Sequence, residues 1–507
     1  MITMRWHVRF TRSELPQLTT PLPFVAELPT DWEEWLRRAD VVAGTPFLLS
    51  PSYEYDVVLN DFFLGVEMVA SARYTQSGYA RDIAAFLTFL WSARERRSWR
   101  DATEADHLAY LHWRRRDPAG PCVSGAAWDR EVAAVNRFYR WALKRGHVRV
   151  NPIPQATRRR VPLEAGWANQ ATLDEQRPAT YSHDAVRERV EWLPPVEYRQ
   201  WREVGVRGFT AAGLPDERFR GRWAARNAAF CDLMVRTGLR LSEQAALTVF
   251  EVPLDQGVGG YQRFWLSPSI AKGGSARWVY VPASVIADLV AYTEIDRPAV
   301  VEAAQDRYRQ VRRPLVVPDP VRPVAIQVTA AGVRRRLKVA QLDAAERRAL
   351  LVEGPDGLEP ALFWLGEHGW PLSVHRWKKM FAEANNRCRK AVVGLAAHAH
   401  MLRHTFAVVT LEQLQRGHIA VLAELTEEQR GHYTRVFGDP LDWVRRRLGH
   451  RSVVTTQIYL HTLSELEMHT RTALVPDGWE DPRAIAADVL LVDAPSNDDP
   501  LGVPGGA

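Results

Sequence analysis

The sequence predicts a mostly α-helical chain of two domains, an N-terminal all-α domain and a C-terminal α+β domain with a small antiparallel β-hairpin. Three observations point there. Between residues 55 and 146, apolar side chains recur at helical spacing in successive stripes. Beyond residue 190, helical stripes flank two short β-type runs joined by Lys272-Gly273-Gly274. Finally, 507 residues at 46% hydrophobic exceed one ordinary core and suffice for more than one.

Residues 1–50 are proline-rich and aperiodic, and read as an N-terminal extension. Residues 51–155 form the first domain. A helix is expected around Val57–Met68, and Tyr79, Ile83, Phe86, Leu87 and Leu90 make one face of a second. Thr103-Glu104-Ala105-Asp106 resembles a capping box opening a third, with Leu108 and Leu111. Trp128, Val132, Val135, Phe138, Tyr139 and Ala142 stripe a fourth, which Asn151-Pro152-Ile153-Pro154 is expected to stop. Residues 156–190 are polar and irregular, a linker.

The second domain is placed at 191–475. Its first strong helix runs from about Arg222 to Arg236 and ends at Thr237-Gly238, a C-cap signal. Tyr261–Leu266 and Arg277–Val281 are the strands of the hairpin. From about Ala299 the chain is expected to return to helix and loop. Ser373 caps a helix carrying Trp377, Met380, Phe381 and Ala384, and further helices surround His400–Leu414 and Asp442–Leu448, with a last one from near Val454. Residues 476–507 form an acidic tail containing an apolar patch, Ala484–Val492.

Charge narrows the partners. The tail holds seven acids and one base, so the net +6 of the chain is −6 in the tail and +12 elsewhere. Arginine clusters at Arg114–Arg116, Arg158–Arg160, Arg334–Arg336 and Arg445–Arg447. A basic body of this kind suits a polyphosphate, with solvated helix faces as the bland reading. Cys122, Cys231 and Cys388 are widely spaced and form no CxxC pair, which argues for a reducing compartment and against a structural zinc site. No run approaches the roughly 20 apolar residues of a membrane span, and the N-terminus has no apolar signal core, so a soluble cytoplasmic protein is expected.

Four short pieces of the second half carry chemistry: Thr237–Glu243 with Arg240, Lys272 in the hairpin turn, His400–Ala407 with Arg403, and Leu448-Gly449-His450 followed by Tyr459. Two guanidiniums can each present a planar fork to phosphate oxygens. His400 and Arg403 stand at i, i+3 on one helix and can face one site. Lys272 on a hairpin tip can serve as an acid. The Tyr459 hydroxyl, inert at its ordinary pKa of about 10, becomes a nucleophile against a polarised phosphate.

Taken in order, these pieces resemble the tyrosine recombinases, the phage-integrase type of site-specific DNA recombinase. TGLRLSE is similar to the first arginine box, HMLRHTFA to the second, and LGHRSVVTTQIYLHT to the box with the last histidine and the nucleophile. SARYTQSGYARDIAAFLTFL and AVNRFYRWALKRGHVRVNPI look like the core-binding domain of that family. The resemblance runs from about Tyr55 to Leu474. It implies a SAM-like helical core-binding domain and an α+β catalytic domain closing around double-stranded DNA. It further implies that Arg240 and Arg403 clamp the scissile phosphate, that His400 and His450 assist, and that Lys272 protonates the 5′-oxygen leaving group. Tyr459 would form a 3′-phosphotyrosyl bond, in a tetramer on two DNA sites, without metal or cofactor. The role expected is integration or excision of a mobile element. A tyrosine topoisomerase or resolvase, or a DNA-binding regulator without catalysis, are the rivals.

Each residue also has a plainer reading. An arginine after Thr-Gly is usually a solvated helix end, and only the ensemble singles out Arg240. Arg277 rivals Lys272, and Tyr433 rivals Tyr459. His398, His400 and His404 invite a zinc reading, which the fixed cation Arg403 and the lack of a nearby acidic ligand oppose. Glu243 falls where the family usually has an acid and is expected to orient a neighbour. Two long stretches, near 300–397 and 412–440, depart from compact relatives.

Overall fold

The computed structural model describes residues 4–12, 38–39, 41–157, 176–182, 190–255, 260–311, 314–328, 332–354, 357–424, 439–453, 455–460 and 462–463. The chain divides into two compact units, Met1–Glu188 and Arg189–Ala507. Tyr433 and the acidic tail with its apolar patch lie outside the described residues.

The first unit is a helical domain. Helices α1 (Val57–Leu64), α2 (Val66–Val69), α3 (Arg73–Ala93), α4 (Glu104–Arg115) and α5 (Gly125–Lys144) surround one aromatic-rich core. The first expected helix is two, because Gly65 takes extended backbone between them. The Asp56 side chain caps α1 at Leu59 N and also accepts the Trp99 indole N–H. Thr103 and Asp106 close the capping box of α4, satisfying two amides that the helix start leaves unpaired. Phe62, Phe86, Trp128, Phe138 and Tyr139 are buried together, and edge-to-face ring pairs such as Phe62–Phe138 at 5.4 Å order them. Arg130 forks onto the buried Asp82 at 2.9 and 3.0 Å, and Arg114 pairs with Glu131.

Three expectations change here. Helix α5 ends at Lys144, where Gly146 takes φ +73°, well before the prolines expected to stop it. The proline-rich extension supplies β1 (His7–Phe10), which pairs antiparallel with β2 (Pro46–Leu49), whose Leu48 enters the helical core. Residues expected to be linker form β3 (Gln155–Thr157) and β4 (Gln176–Pro178), and the Trp128 indole donates to Thr180 O at 2.8 Å. A buried indole N–H needs an acceptor, and this one comes from a strand-flanking loop.

The second unit is α+β. Its helices are α6 (Pro195–Trp201), α7 (Ala224–Thr237), α8 (Leu241–Gln244), α9 (Ala283–Ala291), α10 (Arg297–Glu302) and α11 (Gln305–Arg309), then α12 (Ala344–Arg348), α13 (Val374–Lys390), α14 (Ala399–Glu424), α15 (Pro440–Leu448) and a turn of helix at 455–460. Trp201, Phe230, Trp364, Trp377 and Phe381 form the centre of its core, with Phe230 stacked on Trp377 at 3.6 Å. Strands β5 (Tyr261–Leu266) and β6 (Arg277–Pro282) pair in the expected antiparallel hairpin, from Tyr261↔Pro282 to Leu266↔Arg277. Ser373 caps α13 at Arg376 N.

The helix-and-loop expectation after Ala299 is overturned. Strands β7 (Leu315–Val317), β8 (Val324–Val328), β9 (Arg334–Lys338), β10 (Leu350–Gly354) and β11 (Gly357–Pro360) form a five-stranded sheet in the order β11-β10-β7-β8-β9. All pairs are antiparallel except β7 with β10. The strands are three to five residues long, too short for two-residue alternation to stand out in the sequence. One face packs Val317, Ala325, Leu350 and Val352; α10 and α11 cover part of the other through Val301, Ala304 and Tyr308.

Candidate active site

Four elements of the second unit converge. Helix α7 ends at Gly238, where φ is +65° and an added Cβ would stand 2.4 Å from the Phe406 ring, so only glycine fits the turn that delivers Arg240. The hairpin delivers Lys272, helix α14 delivers His400, Arg403 and His404, and α15 with the following turn delivers His450 and Tyr459. Lys272 and His400 are exposed; Arg240, His404 and His450 are half-buried; Arg403 and Tyr459, each 1% exposed, form the floor.

Glu243 organises one side. Its carboxylate, fully buried, accepts the Arg240 backbone N–H at 3.0 Å and Arg240 Nη1 at 2.9 Å. It also accepts Arg277 Nη2 at 2.6 Å and the Lys272 backbone N–H at 3.3 Å. Burial alone would raise its pKa, but the Arg277 guanidinium, with Arg240, holds it down at about 2. Arg277, the rival cation, is therefore committed to a buried ion pair. Arg240 keeps Nε and Nη2 without a protein partner among the described residues. Arg451 fixes the turn that bears Lys272 by donating to Gly273 O at 2.5 Å.

Arg403 is pinned to backbone. Its Nη1 donates to Gly238 O and its Nη2 to Leu448 O, both at 2.5 Å, tying the ends of α7 and α15 to α14. Burial and the Arg240 charge pull its pKa below the usual range, and it remains a cation at neutral pH.

The nucleophile candidate has a partner that the sequence did not indicate. The Tyr459 hydroxyl lies 2.9 Å from His404 Nδ1. Burial, then the charges of His400 and Arg403, pull the His404 pKa down to about 3, so the ring is neutral at neutral pH, and in its Nε2–H tautomer Nδ1 would accept a hydrogen bond from the phenol. Burial pushes Tyr459 up to about 12, against the pull of Arg403 and Arg240. His450, also held at about 3 by burial and then Arg403, has its Nδ1 on Thr456 Oγ1 at 3.0 Å, with its ring 6.5 Å from that of Tyr459. Burial, followed by Arg403, His398, Arg240 and Lys272, lowers His400. All six residues singled out in the sequence thus share one electrostatic neighbourhood, and His404 joins them. His400 and His404 stack edge-on at 4.3 Å, but among the described residues no group of three metal-ligating side chains is formed. The i, i+4 spacing of these histidines was visible in the sequence, but the contact of His404 with Tyr459 was not.

The surface beside this floor is strongly cationic. A cleft between the hairpin and α15 is lined by Arg277, Arg445, Arg446, Arg447, His450 and Arg451, against Asp439 and Asp442.

Comparison with known proteins bears on the first unit. Residues 59–146 match the family model described as phage integrase, N-terminal SAM-like domain. The helical domain is of that type. No curated protein matches the sequence. Among solved structures, the XerH site-specific recombinase bound to a palindromic difH substrate is similar over 80% of this chain and 81% of its own, at 16% identity and a TM-score of 0.44. The Tn1549 transposon integrase in complex with circular intermediate DNA is similar over 81% and 98%, at 11% identity and 0.41. A lambda integrase dimer bound to a core site is similar over 78% and 91%, at 14% identity and 0.39. No helix among the described residues is long and apolar enough to cross a membrane.

Proposed function

We propose that the chain is a tyrosine recombinase that cuts and rejoins double-stranded DNA through a 3′-phosphotyrosyl intermediate. The observation that carries this reading is the Tyr459 hydroxyl on a neutral histidine, within the field of Arg403 and Arg240. Its support outside that site is the phage-integrase helical domain at 59–146.

In this reading the Tyr459 oxygen attacks the scissile phosphorus while its proton passes to His404 Nδ1. The bond from phosphorus to the 5′-oxygen breaks, and Lys272 gives that oxygen a proton. A 3′-phosphotyrosine and a free 5′-hydroxyl result. Because the ester is conserved, a second 5′-hydroxyl reverses the step without ATP. Arg240, with two free nitrogens, and Arg403 stabilise charge on the pentacoordinate phosphorus. His450, aimed by Thr456, and His400 at the rim donate to nonbridging oxygens. Guanidiniums take the place a metal ion would hold. The biological event is integration or excision of a mobile element, by a tetramer on two sites.

Nicked duplexes tiled across the DNA flanking the coding gene test this. The wild type should yield a denaturant-stable adduct at a 3′-phosphate. Tyr459→Phe should yield none while binding DNA as before. An adduct that persists in Tyr459→Phe and disappears in Tyr433→Phe would refute the assignment.

A further inference from the structure

The inserted five-stranded sheet ends in an edge strand unlike the rest of the molecule. Strand β9 reads Arg334-Arg335-Arg336-Leu337-Lys338, and all four cations are exposed. None makes an ion pair or side-chain hydrogen bond among the described residues, whereas many of the arginines elsewhere are committed to carboxylates or carbonyls. From Pro320 to Leu342 the sequence holds five cations, Arg322 being the fifth, and no acid. The register places Arg334, Arg336 and Lys338 opposite Val328, Ile326 and Val324, so these three cations share one face of the β8–β9 ribbon.

The strand is also fastened to the candidate site. Just after Lys338, Ala340 O accepts Ser269 Oγ at 2.9 Å, and Ser269 lies three residues before Lys272. Arg347, fully buried, donates to Val339 O at 3.2 Å and to Ser267 Oγ at 2.9 Å. The same guanidinium reaches Ala246 O at 3.1 Å, just past the helix that follows Arg240. The basic edge is therefore held by a buried clamp within a few residues of two of the groups that face the scissile phosphate.

We propose that β9 is an accessory contact to the phosphate backbone of duplex DNA, continuing the cationic surface of the site outward. This rests on the DNA-cleaving reading above. Arg334, Arg336 and Lys338 stand about 7 Å apart along an extended strand, about two base-pair steps at roughly 3.4 Å of rise per strand, so the three co-facial cations can each reach a separate phosphate along a duplex. Edge strands are commonly charged, often by lysine, to block edge-to-edge pairing, and that purpose does not call for a run of cations. Four cations with no acid in the segment exceed it.

The test uses the full chain and a fluorescein-labelled random-sequence duplex of about 40 base pairs, with affinity read by anisotropy across a salt series. The triple variant Arg334→Gln, Arg336→Gln, Lys338→Gln changes only exposed side chains. Its plot of log affinity against log salt should be shallower by about 2 to 3 units, near 0.9 for each lost phosphate contact. Arg334→Lys with Arg336→Lys should restore the slope. If the wild type binds steeply and the triple variant binds with the same slope, β9 only protects an edge: this inference fails and the DNA reading stands. If the variant keeps the slope but loses self-association, the strand serves a protein partner and the inference fails too. A wild type that binds no duplex at low salt overturns both.

Discussion

Replacing Glu243 by Gln removes one buried negative charge and little volume. The carboxylate accepts from Arg240, Arg277 and the Lys272 backbone through both oxygens. An amide keeps one acceptor and turns an NH2 toward donors, leaving a guanidinium facing a donor in a dry site. The fold lowers the Glu243 pKa from 4.5 to about 2, which is about 3 kcal/mol in favour of the ionised form at about 1.4 kcal/mol per pH unit. That agrees with the 3–5 kcal/mol typical of breaking a buried pair. Because the folded pKa is depressed, the contribution is complete above about pH 4.5 and is lost as pH falls toward 2. Urea unfolding followed by tryptophan fluorescence should show Glu243→Gln less stable by about 3 kcal/mol at pH 7 and by about 1 kcal/mol at pH 3. A gap below about 0.5 kcal/mol at pH 7, or one that does not change with pH, would refute the account of this carboxylate as the ionic hub of the site.

The remaining predictions concern rate and protonation. Arg240→Lys should slow cleavage on the order of 10²–10³-fold with a much smaller loss of affinity, measured by single-turnover adduct formation at saturating DNA, and chelators should change neither. Arg403→Lys should do the same and in addition cost about 1–3 kcal/mol in urea unfolding, because one of the carbonyls of Gly238 and Leu448 loses its donor. His404→Gln should slow adduct formation by about 10²–10⁴-fold without altering affinity. Since His404 is held near 3, its own titration should be missing from the wild-type rate between pH 5 and 8; a step near 6.5 that His404→Gln removes would contradict the neutral ring. The same lowered pKa means that the unfolded chain takes up a proton first as pH falls below about 6.5, so this histidine erodes stability on the acid side.

What the sequence made legible follows periodicity and punctuation. Helices α3, α5 and α13 are long enough for their stripes to be counted, and Thr103, Ser373 and Gly238 mark ends by side-chain or backbone chemistry that is local in the chain. The hairpin was readable because β5 and β6 flank a Gly-Gly turn. The inserted sheet was not. Its strands are too short to show a period, and its defining contact, the parallel pairing of Leu315–Val317 with Leu350–Val352, joins segments 35 residues apart. Strand β1 was hidden for the same reason, since it pairs with a segment on the far side of the proline-rich stretch.

The site divides along the same line. Residues that can be read from a motif are those whose type alone states a chemistry, such as Arg240, Arg403 and Tyr459. Residues that act by setting the state of another are silent until they are placed. His404 invited a zinc reading, because i, i+4 histidines on a helix share a face, and Arg403 beside it opposed that reading. Its contact is with Tyr459, 55 positions away, and its burial keeps it neutral. Arg277 looked like a free cation and is neutralised by Glu243. In each case the deciding fact, a burial or a buried ion pair, belongs to the packed core and to no stretch of sequence. Helix α14 shows why burial and chemistry are inseparable here: one turn of it places Arg403 against two carbonyls and His404 against a phenol. Burial, and after it His400 and Arg403, keeps the histidine uncharged, and in the proposed reaction that ring is the nearest acceptor for the Tyr459 proton.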